Sequence, residues 1–304
     1  MASMIKIGMV GLDTSHCVAF AKILNDQDDQ YHIPGARIVG AYAGGSDRFS
    51  LSRNRVKGFT EQLTQDYGIV LYDRISALVQ DVDAILLESV DGRQHLEQFT
   101  QMAVGKPVYI DKPLATSFAD ALAIAKLARE TGTPIMSCSS LRYAAGIADL
   151  TGADEKVVSC EAFGPAAILE DYPGLFWYGI HSAEMLFTFM GTGCSTVQCI
   201  HHADVDVVIG EWRNGRIGIM KGTRFDKAAF GCVVHTDQGT RCGIAQSTPP
   251  YYYLLLQNVI SFFQTGMSPI DIHETLEIVA FLEAADASRA QQGRSIAIDT
   301  VTGK

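Results

Sequence analysis

A chain of 304 residues, 47% hydrophobic and 19% charged, is long enough for two domains of ordinary size, each burying its own core. Its formal net charge of -10 argues against a nucleic-acid surface, which needs clustered excess lysine and arginine. Seven scattered cysteines without a Cys-x-x-Cys pair or zinc-finger spacing read as reduced core thiols of a cytoplasmic protein. The N-terminus lacks the charged, apolar and small-residue order of a signal peptide. The most apolar later run, Tyr251 to Phe263, is too short to span a bilayer, so no membrane role is expected.

Ile5 to Val10 reads as a buried strand, followed by Gly11-Leu12-Asp13-Thr14-Ser15-His16 and a helical pattern through Val18, Ala21, Ile23 and Leu24. A strand, tight turn and helix in this order can offer backbone N–H groups to a phosphate, which makes Gly11, Leu12, Thr14 and Ser15 candidate cofactor contacts. Counted as G-x-G-x-x-G from Gly11, the second glycine is Asp13 and the third is His16. A carboxylate touching a diphosphate costs about 1 to 4 kcal/mol in a watery to intermediate dielectric, unless it points away. The second strand, Arg37 to Tyr42, ends at Ala43 and not at an acid, and Ser46 and Arg48 follow, with further basic residues beyond. That pattern places NADP ahead of NAD as the cofactor, with a solvated helical face as the alternative for the basic residues.

Val56 to Tyr67 reads as a helix, Ile69 to Tyr72 as a short strand and Ala84 to Leu87 as a buried one. A loop from Glu88 leads to His95 and another helix, which Gly105 ends. Val108 to Ile110 is a buried strand that stops abruptly at Asp111-Lys112-Pro113. Lys112 therefore sits at a strand's carboxyl end, where open α/β sheets bind ligands, and it can donate to a substrate hydroxyl there; a plain surface lysine is the alternative. Ser117 with Asp120 caps a helix with the stripe Phe118, Ala121, Leu122, Ala125 and Ala128, and Pro134 to Ser137 is a sixth strand. Residues 1–143 are thus expected to form a doubly wound parallel sheet, an α/β domain.

From residue 144 to residue 304 short strand-like runs separated by Asn214-Gly215 and Asp237-Gln238-Gly239 turns predict an α+β domain with a mostly antiparallel sheet. His181 opens a helix, where the dipole disfavours its charged form and suits a proton acceptor, and Glu184 one turn on is placed to orient the ring; a structural histidine is the alternative. His201 and His202 point to opposite strand faces and, with Asp204 and Asp206, read as solvated residues, so no metal is expected. A last helix over residues 271–292 carries a stripe of Leu276, Val279, Ala280 and Ala287 expected to pack on the first domain.

Taken together, Gly105-Lys106, Asp111-Lys112-Pro113, His95, Arg142-Tyr143, Gly179-Ile180-His181-Ser182-Ala183-Glu184 and the closing Gly293-Arg294 resemble the Gfo/Idh/MocA family, named for glucose-fructose oxidoreductase, inositol dehydrogenase and a rhizopine-catabolism protein. The resemblance implies an N-terminal Rossmann domain and an open-sheet C-terminal domain used for oligomerisation as a dimer or tetramer. It implies an NADP- or NAD-dependent oxidoreductase of a sugar, cyclitol or similar polyol. Lys112 and His181 would be catalytic, and His95, Asp111, Ser46 and Arg48 would join the glycine loop in holding the cofactor. Arg142, Tyr143, Asp171, Trp177 and Glu184 would contact substrate. The family's dehydrogenases usually carry an acid where this chain has Trp177. With Asp13, that departure keeps two other readings open: a non-redox sugar or nucleotide binder, and a relative using transient redox for hydrolysis or elimination.

Overall fold

A computed structural model describes residues 4–152, 154–225 and 227–303. The first half alternates strand and helix: β1 (Ile5–Val10), α1 (Ser15–Asn25), β2 (Ala36–Tyr42), α2 (Ser50–Tyr67), β3 (Val70–Leu71), α3 (Ile75–Asp81), β4 (Ala84–Leu87), α4 (His95–Thr100), β5 (Val108–Ile110), α5 (Phe118–Thr131) and β6 (Ile135–Met136). These strands form one parallel sheet in the order β3-β2-β1-β4-β5-β6, with the order reversing beside β1. Every residue of β4 and β5 is buried, as a sheet covered on both faces requires. The sheet's carboxyl edge beside β1 is therefore a crevice of the kind in which open α/β sheets hold ligands.

The second half comprises β7 (Val157–Pro165), α6 (Gly179–Met190), β8 (Cys194–His202), β9 (Val205–Trp212), β10 (Ile217–Thr223), β11 (Gly231–Thr236), β12 (Gly239–Ile244), α7 (Tyr251–Thr265), α8 (Ile272–Ala290), β13 (Ile296–Ala297) and α9 (Ile298–Thr302). Its sheet runs β12-β11-β7-β10-β9-β8-β13 and is antiparallel except where β7 pairs with β10. The expected doubly wound sheet and the mostly antiparallel second sheet are both present. α6 is apolar nearly all round and correspondingly buried over ten of its twelve residues. None of the helices among the described residues is long and apolar enough to cross a membrane.

The chain divides into two compact units that do not follow a single cut. The first holds residues 1–115, 120–138 and 252–272; the second holds 116–119, 139–251 and 273–304. The last long helix, expected on the first domain, groups with the second unit; α7, the preceding apolar segment, groups with the first. α7 buries Leu255, Leu256, Val259, Ile260, Phe262 and Phe263. Its apolar run is thus a core helix of the first unit, and Tyr252 adds a ring contact to Phe20 of α1 at 5.6 Å between centroids.

In the first unit the turn after β1 passes the loop after β4 at very close range. Gly11 adopts φ +86, and a Cβ there would lie 2.4 Å from the Ser89 amide nitrogen. Gly11→Ala is expected to destabilise the protein by about 2 kcal/mol or more, from left-handed strain plus overpacking against backbone, read as a fall in Tm by calorimetry.

Candidate active site at the carboxyl edge of the first sheet

Asp13 resolves the conflict its sequence position raised. Its carboxylate is fully buried, accepting from Ser52 Oγ at 2.6 Å and from the Val90 amide at 2.9 Å. It points away from the open start of α1 and ties together the β1 turn, α2 and the β4 loop. Burial raises its pKa, and the hydrogen bonds from Ser52 and Val90 offset only part of that. α2 begins six residues earlier than its sequence pattern shows, at Ser50, because Phe49 is fully buried at its start and Ser52 is needed by Asp13.

Thr14 caps α1, its hydroxyl accepting from the His16 amide at 3.5 Å, and Ser15 is exposed at the helix start. Gly11 and Leu12 are held by amide bonds to the carbonyls of Tyr42 and Ala43. The first-turn N–H groups of a helix have no intrahelical acceptor, so this end of α1 suits an anion.

Lys112 follows β5 directly, its side chain only 9% exposed and its Nζ 3.4 Å from Asp111 Oδ2. Asp111 also lies 3.1 Å from His16 Nδ1, which in turn is 3.7 Å from Glu88 Oε2. Four titratable groups from the ends of β4 and β5 and the first turn of α1 thus converge in one buried cluster. Burial would raise the Asp111 carboxyl, but the charges of His16 and Lys112 outweigh it and hold the group well below the ordinary carboxylate range. Burial pushes Glu88 up to about 7 against the pull of His16. Burial disfavours charge on His16 as well, yet Asp111 beside it raises its pKa overall. Two carboxyls driven apart in this way mark a functional cluster. Sequence reasoning singled out Asp111 and Lys112 but missed His16 and Glu88 as members. The one signal was that a histidine occupies the third glycine position of the turn.

Several residues expected to contact ligand are engaged within the protein instead. His95 is fully buried, with Nδ1 3.1 Å from the Leu114 carbonyl and Nε2 2.7 Å from that of Ser89. Both ring nitrogens are used in strapping the β4 loop to the segment after β5, which leaves neither for a cofactor. Ser46 donates to Asp91 at 2.6 Å, and Arg93 meets the same carboxylate through two nitrogens at 2.7 and 3.0 Å. Burial alone would raise Asp91, but Arg93 prevails and keeps it below its usual value. Arg48 is exposed beyond this pair.

In the second unit, Arg142 is buried and bridges Glu184 at 2.9 Å and Glu274 at 2.7 Å. Glu184 is thus paired with Arg142, and burial raises its pKa despite that guanidinium. The group that meets His181 is Ser139, whose Oγ lies 2.7 Å from Nδ1. That serine is fully buried and also accepts from the Leu141 amide at 3.2 Å. The His181 ring packs edge-on against Tyr178 and Phe230, at 5.5 and 5.4 Å between centroids. Tyr143 closes the short turn Ser140–Tyr143, and Asp171 and Trp177 are half-buried on the loop before α6, where the indole meets Tyr172 edge-on at 5.6 Å. Asp206, expected to be solvated, is fully buried between Arg224 and His201.

The loop before α6 is pinned by Asp286, whose two oxygens accept from the Leu175 amide at 3.1 and 3.3 Å. Burial lifts Asp286 to about 6, the Leu175 amide offsetting part of the rise. An acid raised in the folded state holds more protons than in the unfolded chain between its two values, so its contribution to stability falls as pH rises from about 4 to 6. Asp286→Asn is expected to leave Tm nearly unchanged at pH 4 and to raise it by a few degrees at pH 7, flattening the wild-type decline in thermal melts.

Residues 5–138 match a family described as "Oxidoreductase family, NAD-binding Rossmann fold" (GFO_IDH_MocA), which is less than half of the chain. A curated relative, inositol 2-dehydrogenase of Rhodococcus jostii (strain RHA1), is 28% identical over 120 residues, covering 34% of this chain and 33% of that protein. The match thus spans about a third of that relative's length. Among solved structures, myo-inositol dehydrogenase from Lactobacillus casei, in complex with NAD(H) and myo-inositol, superposes with a TM-score of 0.75 at 15% identity, over 97% of this chain and 96% of that one. The apo scyllo-inositol dehydrogenase of the same organism gives 0.74 at 15% identity, over 98% and 99%. The fold is that of these solved structures over nearly the whole chain, and residues 5–138 match the Rossmann-fold family model.

Proposed function

We propose that the protein is an NAD(P)-dependent oxidoreductase acting on a carbinol of a sugar, cyclitol or similar polyol. The observation that carries this reading is Lys112, held by Asp111 at the carboxyl edge of the parallel sheet, on the same edge as the open N-terminus of α1. The residues present fit a dinucleotide there, because the carboxylate inside the glycine-loop turn, Asp13, is buried and bonded to Ser52 and Val90. A bound nicotinamide supplies the hydride acceptor or donor.

Lys112 hydrogen-bonds the reacting oxygen and stabilises charge that develops on it. His181 is the proton acceptor. With Nδ1–H given to Ser139, whose oxygen has a second lone pair beside the Leu141 amide, Nε2 is the basic nitrogen. Ser139 is then a positioning residue that fixes the ring's orientation, its hydroxyl able to accept from Nδ1–H. The absence of an acid at the end of β2, with Arg48 exposed nearby, favours NADP. The apolar side chains Ile200 and Ile217 on the outer side of the second sheet, 45% and 47% exposed, favour self-association through that face.

Fluorescence titration is expected to show saturable binding of NADPH, and more weakly of NADH; binding of neither would leave the non-redox reading in its place. Lys112→Ala, folded by circular dichroism, is expected to lower kcat with inositols or sugars by about a hundredfold or more. Ser139→Ala is expected to lower kcat about tenfold with little change in KM and to shift the basic limb of the pH profile, whereas a purely structural serine would change Tm alone.

A further inference from the structure

The cluster around Glu88 leaves polar atoms that the reading above does not employ. Glu88 is completely buried, and neither of its carboxylate oxygens accepts a hydrogen bond from any described residue. Asp111 Oδ2 and His16 Nδ1 are likewise buried and without a hydrogen-bond partner; the two lie 3.1 Å apart, off line for a hydrogen bond. Native interiors rarely leave carboxylate oxygens unsatisfied, because each such group costs several kcal/mol unless a cation compensates it. Here two carboxylates face one ammonium, Lys112, and one imidazole, His16, with no further donor supplied to the Glu88 oxygens among the described residues.

One ligand atom from each of His16, Glu88 and Asp111 lies within 4.8 Å of the other two. The distances from His16 Nδ1, 3.1 Å to Asp111 and 3.7 Å to Glu88, bracket the edge of about 3.3 to 3.5 Å expected between ligands 2.0 to 2.1 Å from a tetrahedral ion. We infer that His16, Glu88 and Asp111 form a binding site for a first-row divalent cation of the zinc or manganese class, with at least one coordination position left for water or an oxygen ligand.

The donor set decides the class. One imidazole and two carboxylates suit zinc or manganese better than calcium or magnesium, which take oxygen alone, or copper(I), which takes sulfur. The three ligands stand just past β4, just past β5 and in the first turn of α1, so the sheet fixes their spacing before any ion arrives. Around them, Lys112 can use one lone pair of Asp111 Oδ2 and leave the other for the ion, and the ring of Tyr252 lies 4.7 Å from that of His16, holding its plane. The site adjoins Lys112 through Asp111, so ion binding is read without nucleotide or substrate, where failure of the oxidoreductase reading would not affect it.

Protein stripped with chelator and dialysed at pH 7.5 is titrated calorimetrically with ZnCl2 and with MnCl2, and the cobalt(II) form is examined by visible absorption. One ion per chain is expected, with a d–d band of low coordination number for cobalt. Glu88→Gln, which keeps volume, is expected to weaken binding tenfold or more, and His201→Ala, at the exposed histidine beside Asp206, to leave it unchanged. His16→Gln serves the same purpose should Glu88→Gln fail to fold by circular dichroism. Absence of stoichiometric binding, or binding indifferent to both the Glu88 and His16 substitutions, overturns the proposal and leaves a proton shared within the cluster as what satisfies Glu88.

Discussion

The buried carboxylate of Asp13 is the fixed point of the first unit. By accepting from Ser52 on α2 and from the Val90 amide after β4, it fastens three chain segments that the sheet alone would leave adjustable. The close crossing of Gly11 over Ser89 follows from that fastening, and so does the direction in which α1 leaves the sheet. With α1 set, His16 in its first turn is carried onto Asp111 and Glu88, and the Asp13 carboxylate is held inside the turn. A residue that breaks the glycine fingerprint thereby serves the same geometry that glycine serves elsewhere, by being satisfied from below.

In the second unit the comparable constraint is ionic. Arg142 draws Glu184 of α6 and Glu274 of α8 to one guanidinium, so the helix bearing His181 is braced against the long C-terminal helix. Breaking such a buried group by removing one partner is far costlier than the pair's net contribution, because the remaining charge is stranded. An arginine beside a tyrosine, suggestive of substrate binding on paper, is here bridged to two glutamates of its own unit. Ser139, three residues after the end of β6, stands where Glu184 was expected to.

Much of the architecture was legible in the residues. Buried runs such as Ala84–Leu87 and Val108–Ile110 announce parallel strands, and their abrupt polar ends mark the ligand edge, which is how Lys112 and Asp111 could be singled out from the chain alone. What the residues did not disclose were partnerships between segments distant in sequence: Asp13 with Ser52, His16 with Glu88, His181 with Ser139. Each joins side chains whose proximity depends on helix direction and loop crossing, quantities that periodicity does not encode. The α7 segment shows the same limit, since an apolar run of that length fits a core helix of either unit and only tertiary packing assigns it.

The two compact units are interleaved along the polypeptide, the first being completed only by residues 252–272 and the second only by the residues after them. A ribosome feeding out this chain from its amino end therefore cannot deliver a finished first unit before most of the other unit has emerged. The parallel sheet must wait, with the apolar face intended for α7 uncovered, while some hundred residues of antiparallel strand are made; a nascent chain in that condition is a natural client for chaperones. Severing the gene at the apparent end of the parallel sheet would yield not a minimal domain but an orphan missing its last helix.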